Sequence, residues 1–237
     1  MSWRYTYRSS PTVAQQRAQA EQRVAKLRKK HPEIEPVLIE GTKIAKTWWG
    51  VSWCKNLERY ADYENRIGRG RSYVKNGLVL DLKVSKGRVH ALVSGSKVYA
   101  VDILIDHMPD KKWRKIAAVC AKRVDSIAAL AEGSFPEDLA EVFMQQGSGL
   151  FPTPSEIHLD CDCPDWAVMC KHVAAALYAV GAKLDTDPLL FFTLRGIDPS
   201  ELIKKSVDEK MKSLLANAGK PSKRVIADKD VARIFGL

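Results

Sequence analysis

Apolar residues recur with two different periods along this chain. Between residues 78 and 105 the period is two: Leu78, Leu80, Leu82 and Val84, then Val89, Ala91 and Val93, then Tyr99, Val101, Ile103 and Ile105. That alternation marks half-buried strands, and Ser85-Lys-Gly87 and Ser94-Gly-Ser96 supply the turns between them. The pattern predicts a three-stranded antiparallel meander with one apolar face. His90 falls on the opposite face and reads as a surface histidine without a ligand partner.

On either side of the meander the period lengthens to that of a helix. Residues 11–30 read as a helix, with Ser10 as candidate N-cap, Pro11 in the first turn and His31-Pro32 as the stop. Its apolar stripe is thin (Val13, Ala20, Val24, Leu27), which predicts a loosely packed or projecting element. It reads either as an arm for nucleic acid or a partner or, more simply, as a solvated extension. Residues 37–39 suggest a short strand. Trp49, Trp53, Leu57 and Tyr60 follow at helical spacing and read as core, while Trp48 lies off that stripe and is the better candidate for an exposed aromatic. Cys54 reads as an ordinary buried or half-buried thiol. A longer helix opens at Pro109-Asp110 and carries Trp113, Ile116, Ala117, Cys120, Val124, Ile127 and Leu130 up to Gly133. This helix is expected to cover the apolar face of the meander, with Cys120 as inert packing. A short helix over 136–144, a flexible joint at Gly147-Ser-Gly149, and helices over 188–194 and 199–215 complete the pattern. Residues 216–237 are polar and basic and suit partial disorder.

The fold class read from this pattern is α+β: a three-stranded meander packed by helices, a small metal-stabilised strand-turn-helix unit, and a helical tail. The expected divisions are 1–36, a basic N-terminal extension; 37–146, the domain with the meander; 147–183, the metal unit; and 184–237, the basic C-terminal tail. At 237 residues and 46% hydrophobic the chain can bury a sizeable core. No apolar run approaches the roughly 18 residues that a membrane span needs. The basic N-terminus lacks the apolar stretch of a secretory signal, so the expected compartment is a reducing cytoplasm.

The net charge is +10, and it is unevenly spread. Residues 1–30 hold eight Lys/Arg against one Glu, and residues 201–237 hold nine against five acidic residues; residues 150–200 hold three against seven. Basic ends attract phosphate backbones in a salt-sensitive, sequence-independent way, or are simply solvated. The acidic middle disfavours direct docking of that segment on phosphate.

The acidic middle contains the strongest chemical signal: Cys161-Asp-Cys-Pro-Asp-Trp-Ala-Val-Met-Cys-Lys-His172. Three thiols and an imidazole in so short a stretch suit one tetrahedral Zn²⁺ held by Cys161, Cys163, Cys170 and His172. Ile157 and Leu159 share the parity of Cys161 and Cys163, so a strand can carry the pair to the metal. Pro164-Asp165 reverses the chain, and residues 173–180 read as a helix stopped by Gly181. Cys170 and His172 then sit at the helix entry, where free N–H groups favour thiolate. Five cysteines in a chain expected in a reducing compartment argue against disulfides. With all four positions filled by protein the metal is structural. Lys171 is placed to offset the net charge of minus one, and Trp166 reads as packing over the metal loop.

The spacing C-x-C-x₆-C-x-H before an alanine-rich helix resembles the SWIM zinc finger. Upstream, residues 47–60 (with Trp48-Trp49 and Trp53-Cys54) and residues 69–77 also resemble bacterial SWIM-domain proteins, and the likeness covers about 42–198. The resemblance implies a zinc module that binds DNA or other proteins and, in bacteria, works beside a Swi/Snf-type helicase.

Arg66, Arg69, Arg71, Tyr73 and Lys75, interleaved with Gly68 and Gly70, form the best nucleic-acid patch in the sequence, expected as a loop. Arginine forks match phosphate, glycine permits close backbone approach and tyrosine can stack on a base. The other reading is a solvated surface loop. Three functions remain open: a non-enzymatic zinc module that contacts DNA or RNA and a helicase-type partner; a pure protein-interaction adaptor; and an enzyme. The enzyme ranks last, since no Walker A loop, G-x-S-x-G or H-E-x-x-H motif is present. Asp160, Asp162 and Asp165 could gather a hard cation, but suit turn and solubilising roles better.

Overall fold

The computed structural model describes residues 11–58, 64–121, 137–145, 147–198 and 200–217. Its organising layer is one antiparallel sheet in the order β1-β2-β3-β4, formed by Val79–Ser85, Arg88–Ser94, Val98–Ile105 and Ile157–Cys161. The meander is present as the alternation requires, and the strand leading into the cysteines joins its edge. The fold is α+β as expected, and among the described residues the three strands of the meander and the strand of the metal unit form one four-stranded sheet. Ile157 lies opposite Ile105, Leu159 opposite Ile103 and Cys161 opposite Val101, so the first cysteine ends a strand already in register with the meander.

β1 does not keep one face throughout. Val79 pairs with Val93, yet Asp81 pairs with Leu92, so Leu80 is an extra residue in the ladder. A bulge of this kind exchanges the faces of everything beyond it. Leu78 and Leu80 therefore pack with Ala20, Val24 and Ile34 on one side of the sheet, while Val79, Leu82 and Val84 face the main core on the other. The expectation that Leu78, Leu80, Leu82 and Val84 share a face is corrected by this bulge. Residues 37–39 form no strand; Val37 donates a single backbone hydrogen bond to Val79 (3.0 Å).

Helix α1 (Val13–Arg28) starts at Thr12, which forms a capping box with Gln15; the expected cap, Ser10, lies outside the described residues. The helix is docked on the sheet rather than loosely attached. Arg23 extends over the β2–β3 turn, where Nη1 donates to Ser94 Oγ (2.7 Å) and the carbonyls of Gly95 (2.8 Å) and Lys97 (3.2 Å), and Nη2 donates to the carbonyl of Ser96 (3.0 Å). A count of apolar residues cannot register an anchor that is polar.

The inner face of the sheet is covered by the helix that follows the cysteines. The remaining helices are α2 (Trp48–Glu58), α3 (Glu64–Lys75), α4 (Asp110–Ala121), α5 (Ala140–Met144), α6 (Lys171–Leu184), α7 (Leu190–Leu194) and α8 (Ser200–Asn217). α6 is buried on nearly every side and touches all four strands as well as α2 and α3. The expectation that the helix from residue 110 covers the sheet is thereby corrected. α4 buries Trp113, Ile116, Ala117 and Cys120 as its spacing requires, but it packs mainly against α8 and α5, with Trp113 edge-on to Phe192 of α7 (6.0 Å). Val124, Ile127, Leu130 and Gly133 lie outside the described residues, as do Tyr60 and residues 218–237.

Small residues let the helices approach. A Cβ on Gly50 of α2 would lie 2.8 Å from the Gly181 carbonyl, and one on Gly181 would lie 2.6 Å from Cys54 Sγ. A Cβ on Gly70 of α3 would collide with Ala174. One core runs from Trp53 and Leu57 through the sheet and α6 to Phe191 and Phe192. The boundary drawn at residue 147 does not coincide with a break in that core. Trp48 is half-buried and packs edge-on to Trp49 (5.6 Å), so it is not the exposed aromatic expected. Among the described residues, no helix is long and apolar enough to cross a membrane.

Candidate metal centre

β4 delivers Cys161 and the backbone then fixes the next residues one by one. The Asp162 N–H donates to the Ala100 carbonyl (3.2 Å), and the Asp162 carboxylate accepts from the Ala100 N–H (3.0 Å) and from Lys97 (3.3 Å). Pro164-Asp165 turns the chain as the sequence requires. The Asp165 carboxylate accepts from the Ala167 N–H (3.3 Å) and takes both arms of Arg66 (3.0 and 3.1 Å). Cys170 is the N-cap of α6, its Sγ accepting from the Val173 N–H (3.5 Å), and His172 lies within the first turn.

These segments bring Cys161 Sγ, Cys163 Sγ, Cys170 Sγ and a ring nitrogen of His172 within 4.8 Å of one another. His172 Nδ1 is 3.9 Å from Cys161 Sγ and 3.8 Å from Cys170 Sγ. A tetrahedral zinc with Zn–S of about 2.3 Å and Zn–N of about 2.0–2.1 Å has edges of roughly 3.6–3.8 Å. The four donors fit that ion with little adjustment. Nδ1 is the ring nitrogen that faces the sulfurs and would ligate the ion. Cys170 and His172 are 1% and 2% exposed, so the ion would be enclosed by its ligands.

The imidazole is held by packing. Its ring stacks on Tyr99 (4.4 Å, 27° between planes) and meets Tyr73 edge-on (5.6 Å). Nε2 is buried without a hydrogen-bond partner among the described residues, against the β2–β3 turn. A Cβ on Gly95 would lie 3.0 Å from Nε2 and 2.7 Å from Tyr99, so the turn needs glycine there.

The thiols are unequal. A hydrogen bond from Cys161, assisted by His172 and the Val173 N–H, holds the Cys170 thiol well below its ordinary range despite burial. Cys161 moves up, because that same hydrogen bond keeps its proton and burial adds to the effect, and burial raises Cys163. The N-terminal end of α6, where Cys170 is the N-cap, is thus the place in the cluster that most favours a thiolate. Bound zinc would hold all three as thiolates. Lys171 sits over the ring of Tyr73 (5.7 Å), close to the centre's excess negative charge. Outside the cluster, burial pushes the Cys54 thiol up to about 12, and Cys120 is fully buried.

Other expectations fare differently. Trp166 does not pack over the metal loop; it is 77% exposed, with Val168 at 71% beside it. Asp160, Asp162 and Asp165 do not converge on a cation, since the last two are engaged as described and Asp160 lies on the outer face opposite Asp102. His90 has a carboxylate partner, Asp102, at 3.2 Å. The basic stretch is helix α3, not a loop. Arg66 is committed to Asp165 and Tyr73 to His172. Arg71 is bound to Glu58 (2.5 Å) and Tyr178 Oη (3.1 Å), while Arg69 and Lys75 reach solvent. Tyr99, Gly95 and Arg66 are supports of the metal centre that spacing within the cysteine motif cannot reveal.

The model of the SWIM zinc finger family matches residues 147–181, the segment that carries all four ligands. The chain thus bears a SWIM zinc finger with the donor set for one structural zinc ion. A Mycobacterium tuberculosis protein described as uncharacterized is 39% identical over 163 residues, which cover 68% of this chain. The chain spans about 58% of the length of that curated relative. No solved structure matches the chain.

Proposed function

We propose that the chain is a non-enzymatic zinc-dependent binding module that contacts nucleic acid, as an accessory to a helicase of the Swi/Snf type. The observation that carries the non-enzymatic part is the closed centre: four protein donors, two of them almost fully buried, leave no position for water or substrate. The nucleic-acid part is supported by the net charge of +10 and by the SWIM match; the helicase partner is supported by the family likeness alone.

A second reading is an adaptor that binds only protein. It is favoured by the exposed Trp166 and Val168 beside an acidic segment, since aromatic side chains are common anchors at interfaces. Anisotropy titration of zinc-loaded protein against single- and double-stranded DNA and RNA separates the two. The nucleic-acid reading requires binding at about 50 mM salt that weakens steeply by about 200 mM. Absence of binding to every probe at low salt would leave the adaptor.

A further inference from the structure

A cleft of roughly 410 Å³ lies between residues 42–46, α2 and α3, on the side of α3 away from the zinc ligands. Lys43, Lys46, Lys55, Arg71 and Lys75 line it, with Glu58 as its one carboxylate. Glu58 is already engaged, by Arg71 (2.5 Å) and by the Tyr178 hydroxyl, which donates to it (2.7 Å). No carboxylate lies within ion-pairing distance of Lys43, Lys46, Lys55 or Lys75 among the described residues. Lys83, Lys97, Lys112 and Lys183, by contrast, each have one at 3.7, 3.3, 4.0 and 3.1 Å. Four ammonium groups without a carboxylate partner among the described residues, gathered around one concave surface, repel one another, and a concave surface of one sign concentrates its field.

We infer that this cleft is a binding site for the phosphodiester backbone of a nucleic acid. The inference deepens the nucleic-acid reading above and rests on it. It moves the contact from the full 66–75 stretch to Arg71 and Lys75 together with three lysines of other segments. Three features favour a polymeric backbone. The ammonium groups sit on exposed, flexible stems at the rim, suited to successive phosphates rather than to one small anion held in a dry pocket. The wall is pinned at Lys46, because Asp185 accepts from the backbone N–H groups of Lys46 (2.6 Å) and Thr47 (3.1 Å). The zinc segment, with its acidic excess, contributes no charged group to the cleft. The zinc ion then acts at a distance, by fixing α6 and with it Tyr178 on the cleft floor.

The test compares zinc-loaded full chain with Lys43→Glu/Lys46→Glu/Lys55→Glu, and with a control of equal charge change on α1 and its end, Lys26→Glu/Lys29→Glu/Lys30→Glu. The probes are labelled oligothymidylate and a mixed-sequence DNA duplex, and retained zinc and an unchanged circular-dichroism melt certify the fold. The cleft variant should bind on the order of tenfold or more weakly at low salt. Its plot of log affinity against log salt should flatten by about 2–3, at roughly 0.7–0.9 for each phosphate that the variant no longer neutralises. The control should stay within about threefold of the parent. Parent-like binding by the cleft variant, or equal weakening in both variants, overturns the cleft while leaving nucleic-acid binding intact. Failure of the parent itself to bind either probe overturns the underlying reading and the cleft together.

Discussion

Gly181 and Gly70 show how single residues set the close packing around α6. Each sits where a neighbouring helix leaves no room for a Cβ: Gly181 against Cys54 and Gly70 against Ala174. Gly70→Ala should destabilise the protein by about 1–3 kcal/mol, the usual cost of forcing volume into a packed core, read as a shift in the urea midpoint. Arg195 is a second such residue. It is 1% exposed, donates to the Asp106 carbonyl (2.9 Å) and pairs with Glu156 (2.7 Å). Arg195→Met should cost about 1–3 kcal/mol by removing its ion pair with Glu156 and its hydrogen bond to the Asp106 carbonyl. Burial works to raise the Glu156 carboxyl, but the Thr153 N–H and Arg195 outweigh it and the net shift is downward. Asp165 is lowered in the same way, by Ala167 and Arg66 against burial. A carboxyl lowered on folding adds stability that is complete above its unfolded pKa and vanishes as pH falls through the folded one. The urea midpoint should therefore hold steady down to about pH 5 and fall below about pH 4. The four zinc ligands were legible in the sequence because they lie within one short motif. Arg66, Tyr99 and Arg195 were not, because their partners lie far along the chain at Asp165, His172 and Glu156.

Among the elements, α1 was the most misjudged from the sequence and β1 the most instructive. Hydrophobic spacing gave α1 too few anchors, yet Arg23 makes four hydrogen bonds to the 94–97 turn. Arg23→Ala should cost about 1–3 kcal/mol and speed amide exchange across Val13–Arg28, while zinc content stays unchanged. Preserved protection in α1 would show that Ala20 and Val24 suffice. In β1 the alternation was read correctly as a strand, but one extra residue at Leu80 divided its leucines between two cores. Periodicity reports the type of an element well; it is blind to a single inserted residue. The same blindness made α3 look like a loop. Its glycines suggested a flexible backbone, whereas Gly70 serves helix packing.

At the scale of the whole molecule, the metal centre and the core are one structure. Cys170 and His172 begin α6, α6 covers the sheet, and Cys161 ends a strand of that sheet. The sequence suggests a metal unit separable from the meander, for which loss of a ligand unfolds only residues near 155–182. The shared core implies a wider effect. Cys170→Ala should lower the melting transition of the sheet together with that of α6, in a single cooperative step seen by circular dichroism. A surviving separate transition for the meander would mean the two halves are independent. The α+β class and the meander could be read from period alone. The choice of α6 over α4 as the sheet's cover could not, because both helices carry a suitable apolar face and only the strand pairing of β4 decides between them. X-ray absorption at the zinc edge of the purified, reduced protein distinguishes a closed centre from an open or empty one. A closed centre gives one zinc per chain with three sulfurs at about 2.3 Å and one nitrogen at about 2.0–2.1 Å. A folded protein without zinc, or a zinc shell that includes a water oxygen in place of one of these donors, would contradict it.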